Sequence, residues 1–146
     1  MLEYDSKKQE IILAQWQTCV KMANSVSQRR DTLNKLFVSL NIAILTAVSI
    51  GPVVRIIPIF AAGILACILW VLSIKYYRKL NSAKFEIIKS LENDLPLQPF
   101  ADEWQRLKNC HGFIEATVIE LLLPWIFIEI YQIYIVVFIV KSIYEV

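Results

Sequence analysis

LFVSLNIAILTAVSIGPVVRIIPIFAAGILACILWVLSI, residues 36–74, contains a single formal charge, Arg55. A helix that crosses a bilayer needs about 20 predominantly apolar residues. The stretch therefore reads as two spans, 36–50 and 57–75, folded back at GPVVRIIP. Gly51, Pro52 and Pro58 supply the turn chemistry. So short a turn forces the spans antiparallel. The fold class follows: an all-α integral membrane protein, built on a long antiparallel transmembrane helical hairpin with a cytoplasmic extension.

Composition agrees. The chain has 146 residues, 57% of them hydrophobic, against about 45–50% in soluble domains. The net charge of +2 is too small to suggest nucleic acid as a partner. No repeat or low-complexity tract is visible, so residues 1–146 read as a single membrane domain. The opening, MLEYDSKKQE, lacks an apolar core and a cleavage site. Insertion is therefore expected to rely on the internal spans.

Lys and Arg set the expected orientation. Six precede the first span (Lys7, Lys8, Lys21, Arg29, Arg30, Lys35) and seven follow the second (Lys75, Arg78, Lys79, Lys84, Lys89, Arg106, Lys108). The turn between the spans has only Arg55. Positively charged segments stay inside, which places the N-terminus and the middle region in the cytoplasm. Trp70, Tyr76 and Tyr77 would then anchor the inner interface.

The segment before the first span is itself patterned. Ile12, Trp16, Cys19, Ala23, Val26, Arg30, Leu33 and Phe37 alternate by fours and threes, a heptad seam interrupted only by Arg30. With no Pro or Gly in the way, a helix capped at Ser6 is expected to run over 6–35 in the cytoplasm and continue through 36–50. After the second span, Leu80, Ala83, Ile87 and Leu91 prolong an apolar stripe over 76–95, until two prolines end it. A short helix over 101–112 follows, with Asp102 as its cap and Gly112 closing it.

A third apolar helix is expected over 118–141. LLLPWIFIEIYQIYIVVFIV, residues 121–140, holds fourteen Leu, Ile, Val and Phe residues. At about 0.5 kcal/mol each they favour insertion by roughly 7 kcal/mol, and Glu129 opposes it by about 3 kcal/mol at mid-depth. Pro124 sits where the helix could kink. Glu129 and Gln132, three apart, share a face. Three readings stay open for them: they line a pore or switchable seam, they make a static interhelical bond with each other or Asn41, or the segment lies at the interface.

The first span carries two contrasting faces. Ser39, Ala43, Ala47 and Gly51 recur every four residues, a small-residue stripe for close helix packing, and Ala62 and Ala66 match it on the second span. Asn34 and Asn41 point the opposite way. A lone hairpin covers one face, so a third span or a neighbouring subunit is needed for the other, unless Asn34 sits in the head-group zone and Asn41 bonds within its own hairpin.

No catalytic constellation is visible. His111 is the only histidine and has no ligand-type spacing around it. Gly-rich phosphate loops and nucleophile elbows are missing. Cys19, Cys67 and Cys110 form no CxxC and read as reduced, space-filling thiols. An enzyme, a cofactor and a bound metal are not expected.

WQTCVKMANSVSQRRDTLNKLFVSLNIAIL, residues 16–45, is the most distinctive stretch. It resembles the N-terminal signature of the RipA family of octameric membrane proteins: an aromatic, then V-x-M-A, S-x-R-R and N-x-x-F-x-x-L-N. The matching residues are Trp16, Val20, Met22, Ala23, Ser27, Arg29, Arg30, Asn34, Phe37, Leu40 and Asn41. LPWIF, residues 123–127, is similar too. Family members often carry Tyr where Trp16 stands. They resemble the two-span, SLATT-like effectors of bacterial anti-phage defence. The resemblance implies a homo-oligomer, as large as an octamer, in the bacterial inner membrane, contacting lipids and acting against phage. It implies a membrane-disrupting or pore-forming role that ends in abortive infection; a non-lytic scaffold that recruits a protein is the alternative. Nothing in the sequence reads as a small-ligand pocket, whereas the cytoplasmic helices offer a long mixed-charge surface. The expected trigger is therefore a protein, an oligomeric phage component that could template a ring of subunits. In a ring of subunits Glu129 would repeat as a ring of carboxylates, which favours cations.

Overall fold

A computed structural model describes residues 2–50, 56–112 and 114–144. Four helices follow in order: α1 Leu2–Ile50, α2 Ile56–Glu92, α3 Pro99–Asn109 and α4 Ala116–Tyr144. The described residues contain no strand. Helices α1, α2 and α4 are each long and apolar enough to cross a membrane. Of the expected turn, Gly51, Pro52 and Arg55 lie outside the described residues, while Pro58 falls in the first turn of α2, where no intrahelical N–H is missed. The chain divides into two compact units, Met1–Arg29 with Tyr76–Glu115, and Arg30–Lys75 with Ala116–Val146.

In the first unit, α1 contributes a seam that buries Ala23 and Val26 and half-buries Ile12, Trp16 and Cys19. The expected cap at Ser6 is not one, because α1 already begins at Leu2 and Ser6 lies within it. The inner face of α2 here runs through Tyr77, Asn81, Phe85, Ile88 and Glu92. Ala83 and Ile87 of the expected stripe are exposed. Two polar residues explain the shift of register. Asn81 takes a seam position by donating to Ser27 Oγ at 3.3 Å, and Glu92, fully buried, is drawn inward by α3. Pro99 opens α3 and has no N–H, so the next donors need an acceptor. The Glu92 carboxylate accepts from Phe100 N at 3.1 Å and Ala101 N at 3.2 Å. That carboxylate, rather than Asp102, caps the helix; Asp102 lies inside it, its own N–H bonded to Gln98 O. The Phe100 ring packs between Trp16 and Phe85, with centroids 5.9 and 5.7 Å away. Gly112 turns the chain after α3 with φ +87°, a conformation natural to glycine.

In the second unit, three helix segments touch pairwise. Pairing of Asn34 with Trp70 and of Asn41 with Cys67 sets α1 against α2 in antiparallel fashion. Pairing of Arg30 with Glu120 and of Asn41 with Tyr131 sets α4 parallel to α1. The core is Val48, Phe60, Cys67 and Tyr131, flanked by Ile44, Leu45, Phe127, Ile128 and Ile135. Gly63 of α2 is buried under the Tyr131 ring, which leaves no room for a Cβ there. Trp70, expected as an interfacial anchor, is instead completely buried, stacked on Phe37 at 5.7 Å. Its indole N–H explains this: Asn34 offers it an acceptor between the helices, so the ring need not reach an interface for one.

Candidate functional site

Polar residues in the second unit fall into two sets that point in opposite directions. The first set forms a ladder along one face of α1. At its foot, Arg30 Nη2 meets Glu120 Oε1 of α4 at 3.3 Å. One turn on, Asn34 Oδ1 accepts the Trp70 indole N–H at 2.8 Å. Two turns further, Asn41 Oδ1 accepts from Tyr131 OH at 2.8 Å and from Cys67 Sγ at 3.2 Å. Asn41 Nδ2 donates back to Phe37 O at 2.8 Å, so the buried amide has partners at both ends. A fully partnered polar group can be buried without the cost of a lost hydrogen bond. The ladder thus fixes the register of three otherwise greasy helices.

The second set faces outward. Glu129 and Gln132 are both exposed, amid exposed Trp125, Ile126, Ile133 and Val136. Geometry forces this once Tyr131 is buried. At 100° per residue, Glu129 lies about 200° round the helix from Tyr131 and Gln132 about 100° from it. Asn41 therefore does not join Glu129 and Gln132: it belongs to the inner ladder, and they belong to the outer face. An unpartnered carboxylate against lipid at mid-depth costs about 3 kcal/mol.

The small residues divide similarly. Ser39, Ala43 and Ala47 are exposed on the side of α1 away from Asn41. Ala62 is exposed on α2, whereas Ala66 is buried inside the unit. Gly51 lies outside the described residues. An exposed strip of small side chains, unused by the chain's own helices, lets another backbone approach closely.

Of the signature residues, Trp16, Ala23, Ser27, Arg30, Asn34 and Phe37 all face neighbouring helices of their own unit, and Arg29 is exposed. Glu92, Glu120, Tyr131 and Gly63 escaped sequence reasoning. Arg30 carried the available signal for Glu120, because a cation breaking an apolar heptad seam needs a buried counter-charge. Tyr131 was hidden in an unbroken apolar run, and nothing in its spacing marks it.

Three membrane-length helices, held in register by a buried polar ladder, define a helical membrane protein. The chain belongs to the octameric membrane protein family, 8xMP, whose sequence model matches residues 13–143. This meets the expectation raised by residues 16–45. No curated protein and no solved structure matches the chain.

Proposed function

We propose that the chain is a homo-octameric effector of bacterial anti-phage defence, which opens a pore in the inner membrane when infection is sensed. The observation that carries this reading is the outward exposure of Glu129 and Gln132 on α4. A single chain leaves them against lipid, whereas a ring of identical chains turns them toward a shared, water-filled axis. Each polar residue then repeats once per subunit, and the carboxylate ring attracts cations. The exposed strip of Ser39, Ala43 and Ala47 serves the contact between neighbours. Membership of an octameric family supports the self-association.

The defence role rests on the likeness to anti-phage effectors. The excess of Lys and Arg before the first span and after the second, against Arg55 alone in the turn between them, supports a cytoplasmic N-terminus, and with it a trigger arriving from the cytoplasm. An oligomeric phage protein fits as that trigger, because a ring of identical sites can template a ring of subunits. The test is phage infection of cells carrying the protein, in the presence of a membrane-impermeant dye. Dye uptake that precedes lysis and requires the protein supports the pore. An intact membrane with protection retained would replace the pore with a non-lytic scaffold that recruits another protein.

A further inference from the structure

Helix α4 is tied to α1 at two points, one on each side of Pro124, and the two ties differ in quality. Beyond Pro124, Tyr131 is completely buried, its hydroxyl 2.8 Å from Asn41 Oδ1 and its ring pressed against Gly63. Before Pro124, where Thr117 is buried and Leu121 half-buried, the polar tie to α1 is one ion pair, Arg30 Nη2 to Glu120 Oε1 at 3.3 Å. Arg30 Nε and Glu120 Oε2 are both buried there without a partner. A guanidinium and a carboxylate can pair through two parallel bonds, and this pair makes only one. Pro124 weakens the same spot a second time. It has no N–H to offer the carbonyl of Glu120 four residues earlier, and its ring crowds that carbonyl.

From these features we infer that Arg30 and Glu120 form a releasable latch and that Pro124 is its hinge: residues 116–123 swing away from α1 while the rest of α4 stays anchored through Tyr131. Arg30 and Glu120 keep partial access to water, with side chains 17% and 16% exposed, so both charges can be rehydrated as they part. The far end, by contrast, is held by the buried Tyr131 ring as well as by its hydrogen bond. The missing backbone bond localises the bend. This motion of α4 does not depend on whether the oligomer conducts ions. Val118 lies six residues from the hinge, roughly 9 Å along the helix, so a kink of about 30° moves it by roughly 4–5 Å.

The experiment measures distances between spin labels in nanodisc-embedded protein, with labelled chains diluted among unlabelled ones. Cys19 and Cys110 are replaced by Ser, and buried Cys67 is kept. One label pair, at Lys35 and Val118, reports the latch end; another, at Ile42 and Val137, reports the anchored end, all four positions being exposed. Glu120→Gln should add a component longer by roughly 4–5 Å to the 35–118 distribution and leave 42–137 unchanged. The exchange Arg30→Glu with Glu120→Arg should restore the original distribution, which a merely misfolded variant would not do. Adding Pro124→Ala to Glu120→Gln should suppress the longer component. An unchanged 35–118 distribution in Glu120→Gln, both pairs lengthening together, or failure of the charge exchange to restore the distance would each overturn the latch and hinge.

Discussion

Gly63→Ala tests the packing of the polar ladder against the close approach beneath it. A Cβ at Gly63 would lie 2.6 Å from Tyr131 Cζ and 2.9 Å from its Cε2 and OH. Carbon atoms settle about 3.5–4.0 Å apart, so the ring has to move by roughly 1 Å. The ring is fully buried, and its hydroxyl sits 2.8 Å from Asn41 Oδ1, so a shift of that size breaks the bond. Overpacking costs about 1–3 kcal/mol, and a hydrogen bond between membrane helices contributes about 0.6 kcal/mol on average. Alanine's better helix propensity returns about 1 kcal/mol. The net is a loss of about 0.6–2.6 kcal/mol.

In a Tyr131→Leu background the clash is gone and only the propensity is left. The same substitution should then stabilise, by up to about 1 kcal/mol. The assay is reversible unfolding by SDS in mixed micelles, on all four proteins of the double-mutant cycle. An equal effect of Gly63→Ala in both backgrounds would refute the reasoning, because the penalty would then not come from Tyr131.

Asn41→Leu strands the Tyr131 hydroxyl and the Cys67 thiol together, whereas Tyr131→Phe removes one donor and leaves Asn41 bonded to Cys67. In the same unfolding assay Asn41→Leu should cost about 1–2 kcal/mol more than Tyr131→Phe, and equal losses would contradict the shared acceptor. Glu92→Leu removes the carboxylate that caps α3, so hydrogen exchange at Phe100 and Ala101 should rise by about tenfold, matching roughly 1–2 kcal/mol of capping; unchanged protection there would contradict that role. Ala43→Leu with Ala47→Leu should lower the oligomer mass in mild detergent while leaving helix content intact, since both side chains face away from their own chain. A full-size oligomer in that double variant would remove the strip from the subunit contact.

The hairpin was legible because its signals are physical and local. One charge in residues 36–74 and a turn of Gly and Pro leave little alternative to two antiparallel helices. The heptad seam of α1 was legible for the same reason, and its residues are the ones shielded in the structure. Local reasoning failed where a side chain found a distant partner. Trp70 reads as an interfacial aromatic until Asn34 is brought beside it. Glu92 reads as a solvated carboxylate until α3 folds back and presents two backbone N–H groups. The stripe over 80–91 was shifted by polar Asn81 and Glu92, which an apolar pattern cannot register. Glu129 and Gln132 were recognisable as a pair on one face, but which face of α4 turned outward depended on Tyr131, one aromatic among many apolar neighbours.

The central claim is that an oligomer gathers Glu129 around a conducting axis, and its most direct test is the reversal potential across a planar bilayer under a KCl gradient. The purified wild-type oligomer should conduct with a reversal potential displaced toward that of the cation. Glu129→Gln should keep the oligomer mass and move the reversal potential toward zero, and Glu129→Leu should assemble but conduct poorly. Wild-type conductance and cation preference in Glu129→Leu would contradict the claim and assign the outward carboxylate to a contact between subunits instead.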